Sequence, residues 1–295
     1  MDGLIRSGFV ALAGRPNVGK STLANAIVGA KVAIVSDKPQ TTRRAIRGVA
    51  TGEGWQLVLV DLPGVQRPRD ALTTRMQRRV ERELEDADAC LFVVDAEQGI
   101  GPGDRFIARL LGSTPVPVLI AVNKIDRARR GATVPALQAA ADLGIAREVF
   151  AVSARTGAGV RELVQHMVAL LPEGPFYFAP EQRTDQSEPV LLAELVREQV
   201  LRRTREEVPH AVEVEVQEVD HRDELARIAA VVLVETESQK GILIGARGSM
   251  IKSIGSAARR AIEHELGAQV HLELTVRVRR HWRADERLLD RLGIE

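Results

Sequence analysis

Eight residues near the start of the chain, Gly14-Arg15-Pro16-Asn17-Val18-Gly19-Lys20-Ser21, follow the spacing G-x-x-x-x-G-K-S, with Thr22 next. The glycines let successive backbone N–H groups curl around phosphate oxygens, and a helix opening at Lys20 adds the positive end of its dipole. A lysine at this position reaches the β- and γ-phosphates, and the Ser21 hydroxyl ligates Mg²⁺. The segment predicts a bound nucleoside triphosphate without saying which base.

Three further segments narrow that chemistry. Asp61-Leu62-Pro63-Gly64 offers a carboxylate that holds Mg²⁺, commonly through water, and a Gly64 N–H facing a γ-phosphate. In Asn123-Lys124-Ile125-Asp126 the Asp126 carboxylate can accept from both the ring N–H and the exocyclic amine of guanine. Adenine offers neither donor there and would leave the carboxylate unpaired. Asn123 braces the loop and the Lys124 stem covers the base. Val152-Ser153-Ala154 can give a backbone N–H to guanine O6. Each short segment is weak alone, but together, in this order, they read as one GTP site. A P-loop kinase of small molecules shares the first segment and leaves 123–126 unexplained.

Such segments need a frame that brings them together. Apolar runs at 8–13, 55–61, 88–95, 116–122 and 149–153 read as strands buried on both faces. Helical patterns lie between them at 20–28, 71–85, 103–111, 134–142 and 160–171. This alternation implies a mostly parallel sheet with right-handed crossovers, which binds ligands at the carboxyl ends of its strands. Each chemical segment directly follows a predicted strand. Prolines 172, 175 and 180 then interrupt the pattern, and 173–186 reads as a linker between a first domain at 1–172 and a second at 187–295.

The second block predicts helices at 191–204 and 250–266, a short helix at 238–243, strands at 211–216, 229–236 and 269–279, and a last helix at 285–289. This is an α+β order. Between two of the helices lies Gly245-Ala246-Arg247-Gly248, a turn that allows close approach of a single-stranded nucleic-acid backbone. Lys240, Arg247 and Lys252 add charge beside it. Arg259 and Arg260 fit a basic or a merely solvated face. Arg277, Arg279, Arg280 and Arg283 form a second basic cluster around Trp282, which reads as a packing residue.

Composition bounds these readings. The 295 residues are 45% hydrophobic and 27% charged, the profile of a folded globular protein. A net charge of +1 excludes a global basic field, so any nucleic-acid surface must be local. Aromatics at 3% argue against recognition by rows of stacked rings. Cys90 is the only cysteine, lies in an apolar run and is expected to be buried. No apolar run approaches the roughly 20 residues of a membrane span, and the first residues read as a strand rather than a secretory signal. A cytoplasmic location is expected.

Taken together, the chain resembles the Era-type GTPases, a branch of the translation-factor-related GTPases. The resemblance is carried by 15–21, by Pro39-Gln40-Thr41-Thr42-Arg43, by 245–248 with Ile254-Gly255, and by 272–283, so it covers nearly the whole chain. It implies an α/β P-loop GTPase domain with a mostly parallel sheet, followed by an α+β type II KH domain. It implies Thr42, or its neighbour Thr41, as sensor of the γ-phosphate, with Lys20, Thr42, Asp61 and Gly64 as the hydrolytic set and Ser21, Thr42 and Asp61 around Mg²⁺. GTP and GDP are the implied ligands, with a potassium ion near Asn17. RNA is expected at Lys240, Gly245, Ala246, Arg247, Gly248 and Lys252. The implied partners are small-subunit ribosomal RNA near its 3′ end and the maturing 30S subunit, with no DNA. A monomer with peripheral contact at the inner face of the cell membrane is expected. Val65 stands where Ras-type enzymes carry a water-orienting Gln, which predicts slow intrinsic hydrolysis. Leu62 replaces the family's usual Thr and forfeits a local hydroxyl contact. The alternative is a GTP-regulated adaptor whose C-terminal domain binds protein rather than RNA.

Overall fold

The structure, a computed structural model, describes residues 5–38, 40–64, 70–222 and 225–294. Val65 lies outside the described residues. The chain divides into two compact units, the first spanning 1–33, 42–68 and 73–185, the second 34–41, 69–72 and 186–295.

The first unit runs β1 (Arg6–Ala13), α1 (Lys20–Val28), β2 (Ile46–Gly52), β3 (Trp55–Asp61), α2 (Ala71–Glu85, its first two residues assigned to the second unit), β4 (Ala89–Asp95), α3 (Pro102–Gly112), β5 (Val118–Asn123), α4 (Thr133–Ala141), β6 (Glu148–Ala151) and α5 (Val160–Leu170). Its six strands lie in the order β2-β3-β1-β4-β5-β6, parallel except for the antiparallel β2–β3 pair. Two apolar cores flank the sheet because side chains alternate along each strand. Val10 and Leu12 enter one core, and Ala11 and Ala13 the other. Cys90 is fully buried beside Phe92 and Val94, and burial pushes its thiol up to about 12. Strand order reverses around β1, so the loop after β1 opens into the crevice where doubly wound sheets bind ligands.

Strand β2 is absent from the sequence reading. Arg47, Gly48 and Gly52 break its alternation, and its strand state comes from seven-residue pairing with β3. The predicted linker also differs, because the chain stays hydrogen-bonded to the first unit through residue 184. The fully buried Gln56 on β3 donates its amide to the Phe178 carbonyl at 2.9 Å and accepts from the Tyr177 and Phe178 N–H groups at 2.8 and 3.0 Å. Farther on, the Val49 N–H donates to the Arg183 carbonyl at 2.8 Å and the Thr184 hydroxyl to the Arg47 carbonyl at 2.8 Å. A buried amide gains from such partners what it loses in leaving water.

The second unit runs α6 (Glu188–Arg203), α7 (Val208–Ala211), β7 (Glu213–Arg222), β8 (Leu225–Val234), α8 (Glu237–Ile244), α9 (Ser249–Leu266), β9 (Gln269–Val278) and α10 (Glu286–Arg291). Strand β8 is central, antiparallel to β7 and parallel to β9. One apolar core joins Leu192, Leu195 and Val196 of α6, Ile254 and Ala258 of α9, and Ile228, Ala230 and Val232 of β8. Trp282 is fully buried and donates its indole N–H to the Ala211 carbonyl at 2.8 Å, as a packing role requires. Glu213, in the strand predicted at 211–216, is fully buried. Its partner, Arg197 of α6, lies 3.7 Å away.

Candidate nucleotide site and basic groove

The loop 14–19 joins the end of β1 to the first turn of α1. Gly19 caps the helix with φ 100°, and an added Cβ there would lie 2.4 Å from the Asn123 amide nitrogen. Only glycine tolerates both conditions. Lys20 is buried and folds back so that its ammonium donates to the Gly14 and Arg15 carbonyls at 3.0 and 3.1 Å. Burial pushes it down to about 8, with Asp61 acting in the opposite direction. The residue therefore sits in a strand-to-helix loop that gathers backbone N–H groups and one ammonium, which is a cradle for phosphate.

Beside that cradle three oxygen-bearing side chains converge. The Ser21 hydroxyl donates to Asp61 Oδ2 at 2.6 Å, the Thr42 hydroxyl donates to the same oxygen at 3.2 Å, and the two hydroxyls are 3.1 Å apart. Thr41 instead donates its hydroxyl to the Lys38 carbonyl at 2.7 Å. Asp61 is fully buried, and its Oδ1 is a buried atom with no hydrogen-bond partner. Burial pushes Asp61 up, against the pull of Lys20 and the two hydroxyls. Oxygen-only ligands with a spare carboxylate oxygen suit a hard cation such as Mg²⁺, which keeps its other positions for water and phosphate. Leu62 is fully buried in the apolar core, which accounts for a hydrocarbon at that position. Gly64 lies against Pro16, where an added Cβ would come within 2.8 Å of the proline ring. Thr22 is half-buried on α1.

The base-side segments are clasped to the same loop. The Asn123 amide donates to the Val18 carbonyl at 3.0 Å, and its oxygen accepts from the Ala154 N–H at 3.0 Å. The Lys124 ammonium donates to the Asn17 carbonyl at 2.6 Å and to Asp95 Oδ2 at 2.7 Å. Asn17 and Lys124 both adopt positive φ, 65° and 67°. Ile125 packs partly into the core. The Ser153 hydroxyl donates to Asp126 Oδ1 at 2.7 Å. That bond leads the causes holding Asp126 below the usual carboxylate range, with Arg155 and Arg127 adding to it. The main-chain N–H groups of 152–154 are already engaged, Val152 with the Val122 carbonyl, Ser153 with the Ala158 carbonyl and Ala154 with Asn123. A guanine O6 would therefore share the Ala154 donor rather than meet a free one.

Two positioning carboxylates escaped the sequence reading. Asp95 is buried at the end of β4, accepting from the Glu97 and Gln98 N–H groups at 2.8 and 3.2 Å as well as from Lys124. Asp104, also fully buried, caps α3 through the Gly101 N–H at 2.8 Å and takes the Arg15 guanidinium at 2.8 Å, turning Arg15 towards α3. Asp95 closes the apolar run of β4 and Asp104 lies in the first turn of α3, two residues after Pro102.

In the second unit the turn 245–248 links α8 to α9. Gly245 has φ 70°, and an added Cβ would meet the Met250 nitrogen and Cβ at 2.9 and 2.7 Å. Ala246, Arg247 and Lys252 are exposed, and Lys240 is half-buried on α8. Next to the turn a groove of about 350 Å³ is lined by Ile251, Lys252, Gly255, Ser256 and Arg259 of α9 and by Leu272 and Leu274 of β9. The α9 residues share one helical face and the two leucines one strand face. The groove is apolar at its floor and basic at its rim, which suits bases and phosphates of a single strand.

A model of the 50S ribosome-binding GTPase family matches residues 9–124, and a KH-domain model matches 207–283. The chain is similar to GTPase Era of Carboxydothermus hydrogenoformans, 46% identical over 281 residues and 94% of each chain. It is likewise similar to GTPase Era of Geobacter metallireducens, 45% identical over 294 residues and 99% of each. Among solved structures it superposes at TM-score 0.94 and 35% identity on Era in complex with MgGDPNP and nucleotides 1506–1542 of 16S ribosomal RNA, covering 98% of this chain and 99% of that one. A variant of Aquifex aeolicus Era bound to GDP·AlF4⁻ matches at TM-score 0.93 with 35% identity over 98% and 99% of the two chains. With a nucleotide loop and a G-x-x-G turn in their expected places, and relatives matched from end to end, the chain belongs to the Era family of GTPases.

Proposed function

We propose that this protein binds GTP, hydrolyses it to GDP and phosphate, and uses that cycle to govern binding of the 3′ end of 16S ribosomal RNA during small-subunit maturation. The observation that carries the reading is the convergence of Ser21, Thr42 and Asp61 beside the buried Lys20, with an unpartnered carboxylate oxygen among them. When bound, Mg²⁺ neutralises charge on the β- and γ-phosphate oxygens. The residues that would hold it are Ser21 and Thr42 through their hydroxyls and Asp61 through its carboxylate. The N–H groups of 14–19 and the Lys20 ammonium bind and orient the phosphates. Gly64 offers its N–H to the γ-phosphate, and Asp126 selects guanine. Asn17 is the residue we assign to a potassium ion; replacing K⁺ by Na⁺ should slow turnover, and identical rates in the two salts would remove that assignment.

The groove between α9 and β9 and the turn 245–248 supply the RNA side, with Lys240, Arg247 and Lys252 on phosphates. No helix among the described residues is long and apolar enough to cross a membrane. We assign the protein to the cytoplasm as a monomer, with any membrane contact peripheral. The deciding experiment is GTP turnover in potassium buffer with and without a single-stranded RNA copying the 16S 3′ end. Stimulation by that RNA and not by a scrambled one is expected. Turnover indifferent to both would instead favour an adaptor whose second domain binds protein.

A further inference from the structure

Arg15 is the one cationic residue of the loop 14–19, and its side chain turns towards α3. Its Nε lies 2.8 Å from both oxygens of Asp104, a carboxylate fully buried in the first turn of that helix. Nη1 donates to Gln98 Oε1 at 3.3 Å and Nη2 to the Gly99 carbonyl at 3.4 Å, both in the connection between β4 and α3. The arginine stem passes over Gly103, where an added Cβ would come within 2.7 Å of Arg15 Cδ. Capping of α3 explains one Asp104 oxygen, which accepts from the Gly101 N–H at 2.8 Å. Capping does not explain a carboxylate withdrawn fully from water, whose charge needs a partner of opposite sign. Arg15 supplies that charge. The carbonyl of the same residue accepts from the Lys20 ammonium at 3.1 Å, beside the Gly14 carbonyl at 3.0 Å. All of these groups lie in the first unit.

We propose that Asp104 is a positioning residue for Lys20, acting through Arg15: the buried ion pair fixes the Arg15 main chain, and with it the carbonyl that steadies the ammonium. The inference rests on the GTPase reading above and adds to it a residue outside every nucleotide motif. Guanidinium geometry suits the task, because one planar fork engages a carboxylate and two further oxygens at once and so sets orientation as well as distance. Lys20 serves the β- and γ-phosphates. A displaced ammonium therefore weakens GDP, whereas GMP, which ends at the α-phosphate, makes no such demand.

The test measures GMP and GDP affinities, by competition in magnesium buffer, for the full chain and for Asp104→Asn, Arg15→Met and the double variant. An amide at position 104 keeps one oxygen for the Gly101 N–H and turns its NH2 towards the guanidinium, which breaks the pair. Expected is GMP affinity within about twofold of the wild type and GDP affinity lowered about tenfold in each single variant. Because both residues act through one pair, the double variant should lose no more than either single one. Equal weakening of GMP and GDP would mark a structural role and overturn the proposal, as would wild-type affinity for both, or losses that add in the double variant. Arg15→Lys keeps the charge without the fork and should fall in between. Should the single variants fail to fold, Arg15→Lys and the double variant, which leaves no unpaired charge, carry the comparison on the same criteria. A wild-type chain that binds neither GMP nor GDP would overturn the GTPase reading itself, and this inference with it.

Discussion

Asp126, which we propose selects guanine, shows how a single carboxylate would set both specificity and its pH range. Replacing it by Asn exchanges an acceptor for a donor, so preference should move from GTP to xanthosine triphosphate, with GTP affinity down about a hundredfold or more. Competition binding with the two nucleotides checks this. The Ser153 hydroxyl, with Arg155 and Arg127, holds the carboxyl below its usual range. A depressed value keeps the group ionised above it, so guanine affinity should stay flat from about pH 7 to about pH 5 and fall only as the pH drops through the depressed value. A decline that begins near neutrality would contradict that sign. Asp95 acts one step removed. Asp95→Ala frees the Lys124 ammonium from one of its two anchors and should raise the GDP dissociation rate about tenfold, with Asp95→Asn in between. Stopped-flow release of a fluorescent GDP measures it.

At the scale of elements, α9 and β9 build the groove that the G-x-x-G turn opens. Replacing Ala246 and Arg247 by Asp puts two negative charges where we propose that phosphates approach. Single-stranded RNA affinity should fall about tenfold or more, and removing one phosphate contact should flatten the salt dependence by about 0.7 in log–log slope. Filter binding across a salt series reads both. The same scale shows where the sequence is legible. Strands β1, β3, β4 and β5 stand out because each is an apolar run buried on both faces, and the loops after them carry motifs whose spacing is itself chemical. Strand β2 is hidden because its two glycines and Arg47 have no pattern until β3 lies beside it. Nothing local in α6 reveals that Arg197 will find Glu213 across the fold and a backbone carbonyl from far upstream. Asp95 and Asp104 are silent for the same reason. Their partners, Lys124 and Arg15, are 29 and 89 residues away.

The whole molecule is two units, and its chain order conceals where they divide. A reader of the sequence assigns everything before residue 173 to the first domain, whereas 34–41 belongs with the second unit and 173–185 with the first. The strap along β2 also decides how the protein can be cut. A fragment ending at residue 172 would strip Gln56 of the Phe178 carbonyl and two N–H partners and bare the outer edge of β2, an invitation to edge-to-edge association. A fragment ending at residue 185 keeps the edge covered by Arg183 and Thr184. The shorter piece should melt lower and aggregate on concentration, and light scattering of the two side by side would tell them apart. The natural excision point of the guanine-nucleotide module therefore lies thirteen residues beyond the end of the first domain as read from the sequence (185 − 172 = 13), and anyone building a chimaera from this chain should graft after Asp185.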